Sequence, residues 1–171
     1  MFDWISFRRL QTMVFVLCTG LLGAAYYFEY VLYLEPCPLC IMQRIAILLI
    51  GLTALIAVIQ SPVSDAAKRV YAVFGLLSAG LGVAVAARHV WIQSLPLDQV
   101  PACGPSLEYM LQAFPWMEAL SLMLKGDGSC ADQAWSFWTL TMPEWTLIWF
   151  VGFSVFSLSQ LIKPWPRTQS I

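Results

Sequence analysis

Charge is what this sequence has least of. Asp, Glu, Lys and Arg make up 11% of its 171 residues and hydrophobic residues 60%, with a mean hydropathy of +0.73, a balance that excludes a water-soluble globular domain. Nine scattered basic residues against ten acidic ones give a net charge of −1, which leaves no footprint for nucleic acid. Histidine occurs once, so no cluster of imidazoles is available for haem or copper. A Rossmann glycine fingerprint and a P-loop are both missing. The Cys37-x-x-Cys40 pair is followed by Ile41 and not by histidine, which excludes covalent haem attachment. A second closely spaced cysteine pair is missing too: Cys103 and Cys130 stand 27 apart, so spacing gives no zinc motif and no metal is expected. Internal repeats and low-complexity segments are lacking. No small-residue cleavage site follows the first apolar run, which therefore reads as a retained helix and not a removed signal peptide.

What is present is apolar length. Four uncharged windows run from Leu10 to Phe28 (19 residues), Ile45 to Ser64 (20), Val70 to Ala87 (18) and Trp145 to Ile162 (18). Each is about the length that crosses a bilayer core as helix. The fold class that follows is an all-α membrane protein forming one domain over residues 1–171. Its four-transmembrane-helix bundle would have spans at about 10–32, 41–60, 69–89 and 144–163, and one long loop, about 94–143, carrying short amphipathic helices. Four spans put both termini on one side. Arg8, Arg9, Lys68, Arg69, Lys163 and Arg167, six of the nine basic residues, fall in the tails and the short second connection, so that side is cytoplasmic.

Most of the chemistry lies in Pro36-Cys37-Pro38-Leu39-Cys40-Ile41-Met42-Gln43-Arg44. Proline suits the first helical position, because its φ is fixed and its missing N–H would be unpaired there. A helix opening at Pro38 makes Cys37 its N-cap and puts Cys40 in the first turn, where free backbone N–H groups and the helix dipole favour thiolates. Arg44, one turn beyond Cys40 on the same face, adds a positive charge. A bridge between residues three apart closes almost no loop and stabilises little, so the pair reads as redox-active more than structural.

Elsewhere, Gly20 and Gly23 in the first helix and Gly75, Gly80 and Gly82 in the third would permit close helix contact. Cys18, in mid-membrane, reads as packing. Arg88 reads as an anchor snorkelling to the interface, and His89 lies beside it at similar depth to the cysteine pair. In the loop, Leu107, Met110, Leu111 and Phe114 recur at helical spacing. After Pro115, Trp116, Met117, Leu120, Met123 and Leu124 oppose Glu118, Ser121 and Lys125, a piece suited to the interface plane and broken by Gly126-Asp127-Gly128. Trp135, Phe137, Trp138 and Trp145 read as an aromatic belt. Cys37, Cys40, Cys103 and Cys130 all fall on the non-cytoplasmic side, where cysteines form disulfides. Two structural bridges in a non-catalytic receptor or assembly factor, a membrane reductant carrier and a thiol oxidase all fit that placement, although a reductant carrier would want a cytoplasm-facing cysteine. A dithiol that is repeatedly re-oxidised must hand on two electrons, and at a membrane surface a lipid-soluble quinone could take them.

The run from Cys37 to Arg44, together with Cys103-Gly-Pro, Gly128-Ser-Cys130, Trp135-Ser-Phe137 and Met142-Pro-Glu-Trp145 in a four-helix frame, resembles the disulfide bond formation protein B (DsbB) family of bacterial inner membranes. The resemblance covers nearly the whole chain. It implies a quinone-dependent thiol oxidase, a protein-dithiol:quinone oxidoreductase, with both termini cytoplasmic and the active cysteines periplasmic. By the same resemblance Cys103 and Cys130 form the loop disulfide, and Cys103 is attacked by a reduced DsbA-type oxidase of thioredoxin fold. Cys130 passes electrons to Cys37 and Cys40, with Cys37 the inter-pair contact, and Cys40 faces ubiquinone or menaquinone, with Arg44 and His89 beside the ring. DsbA is known to sit at about −120 mV, so re-oxidising it with an ordinary dithiol couple is uphill by roughly 1.4 kcal/mol per 30 mV. The quinone has to supply the pull.

Overall fold

The computed structural model describes residues 7–96, 98–100, 102, 109, 112–131 and 135–162. Cys103 and most of the helically spaced run from Leu107 to Leu111 lie outside these residues, as do Lys163 and Arg167. The chain is a four-helix membrane bundle: α1 (Phe7–Tyr30), α2 (Pro38–Gln60), α3 (Asp65–Gln93) and α5 (Met142–Ile162) are each long and apolar enough to cross a membrane. A shorter α4 (Trp116–Lys125), a 3₁₀ turn (Gly128–Ala131) and a hairpin of β1 (Ser136–Phe137) with β2 (Leu140–Thr141) lie between α3 and α5. The helices start three or four residues before the expected spans 41–60 and 69–89, because charged and capping residues belong to helix ends even where they bound the apolar window.

Those ends are built locally. Cys37 is the N-cap of α2, extended at φ −69° and ψ 164°, with Pro38 in the first turn. Ser64 caps α3 by accepting the Ala67 N–H at 3.3 Å, and Asp65 stands in that first turn, where a carboxylate is favoured by the dipole. Glu144 reaches back from the first turn of α5 to accept the Thr141 N–H at 2.6 Å, half of a capping box.

In the bundle α1 packs on α2, α2 on α3 and α3 on α5. Its core holds Val14 and Cys18 of α1, Ala46, Ile47, Ile50 and Ala54 of α2, Ala79 and Ala86 of α3, and Phe150 and Phe153 of α5. Small residues set the spacing. A Cβ on Gly82 would stand 2.2 Å from Cδ1 of the fully buried Phe150, so the ring rests directly on the α3 backbone. Gly20, Gly23 and Gly80 do not serve packing as their composition suggested: open space surrounds each, and they face outward. Gln11 of α1 donates to Gln160 of α5 at 3.0 Å, a buried amide contact between the first and last helices.

Between α3 and α5 the chain folds back over the bundle end where α2 begins. Ala119 and Met123 of α4 are buried, whereas Trp116 and Met117 are 74% and 60% exposed, leaving an apolar face for the membrane interface. The residues expected as an aromatic belt form a cluster around the hairpin, with Phe28 of α1 against Trp135 at 4.9 Å between centroids and Trp145 Nε1 donating to the Phe137 carbonyl. Sequence reading missed the hairpin itself. Its two turn residues, Trp138 and Thr139, have φ of 50° and 65°, and neither is the Asn or Gly that normally signals such a turn.

Candidate active site

Three segments distant in sequence meet at the N-terminal end of α2. Cys37 and Cys40 come from its start, His89 from the last turns of α3, and Cys130 from the 3₁₀ turn after α4. Cys37, His89 and Cys130 are buried, and Cys40 is half-buried. All three cysteines are free thiols here, as is Cys18. The sulfurs of Cys37 and Cys40 are 2.9 Å apart, and Cys37 Sγ also accepts the Cys40 N–H at 3.3 Å, so the expected cap is made by the reactive side chain itself. His89 Nε2 lies 3.7 Å from Cys37 Sγ and 3.1 Å from the Cys130 carbonyl. The reactive atoms of Cys37, His89 and Cys130 all stand within 4.8 Å of one another. Leu39, Met42, Val85, Ile92 and Met123 enclose them in an apolar shell.

Cys37 is therefore the sulfur in the middle. Hydrogen bonding to Cys130, then to Cys40, and burial together keep its thiol protonated well above the ordinary range. Cys130 moves the other way, to about 7, chiefly because it accepts that hydrogen bond from Cys37, against the cost of burial. A thiol lowered by folding contributes stability above its unfolded pKa, and loses that contribution as pH falls through about 7. In reduced protein, ultraviolet thiolate absorbance is expected to show a step near pH 7 that vanishes in Cys130→Ser and moves upward in Cys37→Ala. A step unmoved by Cys37→Ala would refute the contact.

Behind His89 runs a polar chain that the sequence did not disclose. Gln43 Nε2 is 3.0 Å from His89 Nδ1, and the Thr146 hydroxyl of α5 donates to Gln43 Oε1 at 2.5 Å. With Gln43 donating, Nδ1 accepts and the ring proton sits on Nε2, facing the sulfur and the carbonyl. A buried amide in a membrane helix is the signal that could have found Gln43.

Arg44 is placed differently from a bare charge beside Cys40. Its guanidinium donates to the Glu29 carboxylate of α1 and, at 3.2 Å, to the Ala25 carbonyl, and it stacks over Tyr26 at 5.3 Å. Glu29 thus offsets much of its charge. Arg88 has a partner that sequence did not disclose: its Nε and Nη2 donate to the Leu124 and Lys125 carbonyls at 3.1 Å and 2.9 Å, satisfying the free C-terminal end of α4. Gly126 follows, and then Asp127, whose carboxylate accepts from the Ser129 N–H at 3.0 Å and so shapes the turn that presents Cys130. The Gly128 N–H donates to the carbonyl of Ala102, the residue before Cys103.

The family described as Disulfide bond formation protein DsbB matches residues 7–160. This chain belongs to that family. Its relatives include Disulfide bond formation protein B of Hahella chejuensis, 49% identical over 151 residues, which are 88% of this chain and 91% of the relative. The protein of the same description from Saccharophagus degradans is 50% identical over 158 residues, 92% of this chain and 95% of its own. Disulfide bond formation protein B 1 of Pseudomonas aeruginosa is 47% identical over 156 residues, 91% and 95% of the two chains. The chain is thus a DsbB-family multi-pass membrane protein involved in disulfide bond formation, and its family role is that of an oxidoreductase.

Proposed function

We propose that this protein is a quinone-dependent thiol oxidase that re-oxidises a periplasmic DsbA-type dithiol oxidase. The observation that carries the reading is the contact of Cys130 with Cys37, which is itself in contact with Cys40. That arrangement supports stepwise disulfide exchange. A reduced thioredoxin-fold partner attacks Cys103 of a Cys103–Cys130 disulfide, and Cys130 leaves as thiolate. The Cys130 thiolate then attacks Cys37 of the Cys37–Cys40 disulfide; the Cys37–Cys130 bond forms and Cys40 leaves as thiolate. The partner's second thiol then resolves its mixed disulfide, releasing oxidised partner and the Cys103 thiolate. Cys103 attacks Cys130, which re-forms the Cys103–Cys130 disulfide and releases Cys37 as thiolate, so that Cys37 and Cys40 hold the two electrons. Lowering of the Cys130 thiol to about 7 suits it to act as nucleophile at neutral pH.

A bound quinone would accept two electrons and two protons. Cys40 fits the position facing it: of the three clustered sulfurs it alone is half-open. Arg44 would contribute hydrogen-bond donors there, since a guanidinium has five and only some reach Glu29 and Ala25. His89, with its proton on Nε2, would stabilise a Cys37 thiolate as it forms. The basic tails and second connection support cytoplasmic termini in a bacterial inner membrane, with the reactive cysteines on the periplasmic face.

Mixing purified protein with a reduced DsbA-type oxidase and quinone should oxidise the partner with one quinone consumed per disulfide made. In a Cys130→Ala variant Cys103 is a lone thiol, and mixed with the oxidised partner it should attack the partner's disulfide and be trapped as a mixed disulfide, the partner's second cysteine leaving as thiolate. Partner oxidation that proceeds equally without quinone would overturn the reading. In intact cells, membrane-impermeant thiol reagents should reach Cys103 and, after reduction, Cys40 from the same side; labelling from opposite sides would be equally fatal.

A further inference from the structure

Spacing along the chain gave no zinc motif, but the fold removes the reason for that exclusion, because it brings together ligands that no local motif links. Among the described residues, Cys37 Sγ, Cys130 Sγ and His89 Nε2 converge within 4.8 Å of one another, and Cys40 Sγ lies 2.9 Å from Cys37 Sγ. We infer that the reduced protein binds one zinc ion, or another borderline-soft divalent cation, through Cys37, His89 and Cys130, with Cys40 closing the tetrahedron.

The distances fit. With Zn–S near 2.3 Å and Zn–N near 2.0–2.1 Å, ligand atoms on a tetrahedral ion stand roughly 3.5–3.8 Å apart. Cys37 Sγ and His89 Nε2 are 3.7 Å apart already. The three ligands within 4.8 Å of one another need to close by no more than about an ångström, whereas the Cys37–Cys40 contact has to open by about as much and Cys40, half-buried, has to swing toward the other two. The three buried ligands come from α2, α3 and the 3₁₀ turn, so the ion would pin the turn to the bundle.

The residues behind the histidine fit as well. A metal-bound imidazole holds its other N–H in a hydrogen bond to a fixed acceptor. Metal on Nε2 moves the ring proton to Nδ1, which requires an oxygen from Gln43 where the amide nitrogen now stands, a turn of the amide by half a revolution. Thr146 allows it: its hydroxyl lies 2.9 Å from the Pro143 carbonyl as well as next to Gln43, so it can donate to the former while accepting from the latter. The Gln43–Thr146 pair therefore supports either tautomer of His89.

Binding is an acid–base event without electron transfer. Each thiol that ligates gives up its proton to solvent, the sulfurs stay at the thiol oxidation level, and a disulfide cannot form while the metal holds them. The oxidised protein has no such thiolates. Zinc would thus arrest the reduced form reversibly, whatever the electron acceptor is.

The test is metal retention by full-length, detergent-purified protein, reduced with a phosphine, loaded with Zn2+ and desalted. One zinc per chain is expected in reduced protein and none after oxidation. X-ray absorption of the loaded wild-type protein should show two or three sulfur ligands and one imidazole nitrogen, a readout that needs no variant to fold. His89→Ala and Cys130→Ser should each weaken binding at least tenfold. Gln43→Leu should weaken it by about 10–100-fold, the usual effect of removing a ligand's hydrogen-bond partner. Cys103→Ser, outside the ligand set, should bind as wild type does. Equal retention by oxidised and reduced protein, a shell without sulfur, or loss of binding in Cys103→Ser would each overturn the assignment. Quinone reduction is not part of the readout, so failure of the oxidase reading and failure of this one are separable.

Discussion

Replacing Cys40 with serine is expected to drop partner-driven quinone reduction by at least about a thousandfold, as loss of a residue that forms the covalent intermediate generally does. It should also leave a specific trace. Without Cys40, the Cys37 sulfur has one neighbouring thiol left among the described residues, Cys130, whose sulfur lies within 4.8 Å. The oxidised variant should therefore accumulate a Cys37–Cys130 bridge, seen as one cross-linked peptide in non-reducing mass spectrometry. Cys37→Ser should lose as much activity and show no such bridge, because the central sulfur is gone. Normal turnover in either variant, or a Cys40–Cys130 bridge in the Cys37 variant as abundant as the first, would contradict the geometry described above.

A single methyl group at Gly126 should separate the two cysteine pairs. Gly126 has φ 71° and ψ 164°, a region that residues with a Cβ scarcely enter, at a cost of about 1–3 kcal/mol. Its added Cβ would also meet Ile92 Cδ1 at 2.7 Å and Leu39 Cδ1 at 2.9 Å, and both side chains are fully buried. The strained φ and the crowding against Leu39 and Ile92 together favour lifting the end of α4 away from α2, and Cys130 follows four residues later. Since misplacement by an ångström can cost about a hundredfold in rate, Gly126→Ala is expected to slow partner-driven turnover by roughly 10–100-fold. Reduction of quinone driven by a small dithiol acting directly on Cys37–Cys40 should stay within about twofold of wild type, since α2 itself is unaltered. Stopped-flow measurement of both reactions separates the effects; an equal fall in the two would mean that the glycine serves general stability.

The parts of this protein that could be read from sequence are those with local causes. Pro38 and the apolar run after it are enough to place Cys37 as the cap of α2. The four spans follow from composition alone, and α4 from its amphipathic spacing and the glycine that ends it. What could not be read depends on which segments come to rest together. Cys130 is 93 residues from Cys37, and the docking of Gly126 on Leu39 and Ile92, with the contacts of Arg88 and His89 to the same segment, brings them together. Arg44 faces Glu29 because α1 packs on α2, a register that periodicity does not supply. The contact of Arg88 with the last carbonyls of α4 could not be read either, because it depends on where α4 comes to rest. The hairpin escaped notice because Trp138 and Thr139 occupy a turn conformation that neither favours.

The central place of Cys37 sets an order of service. A sulfur atom forms one disulfide at a time, so on the proposed exchange Cys37 releases Cys40 when it joins Cys130, and until the Cys37–Cys40 bridge is made again the loop has no outlet. On that reading electron pairs would cross in single file, each waiting until the previous one had left Cys37 and Cys40. Such a gate would set the pace of the whole protein by its slowest passage, and would keep a second client from being accepted before there was room for what it delivers.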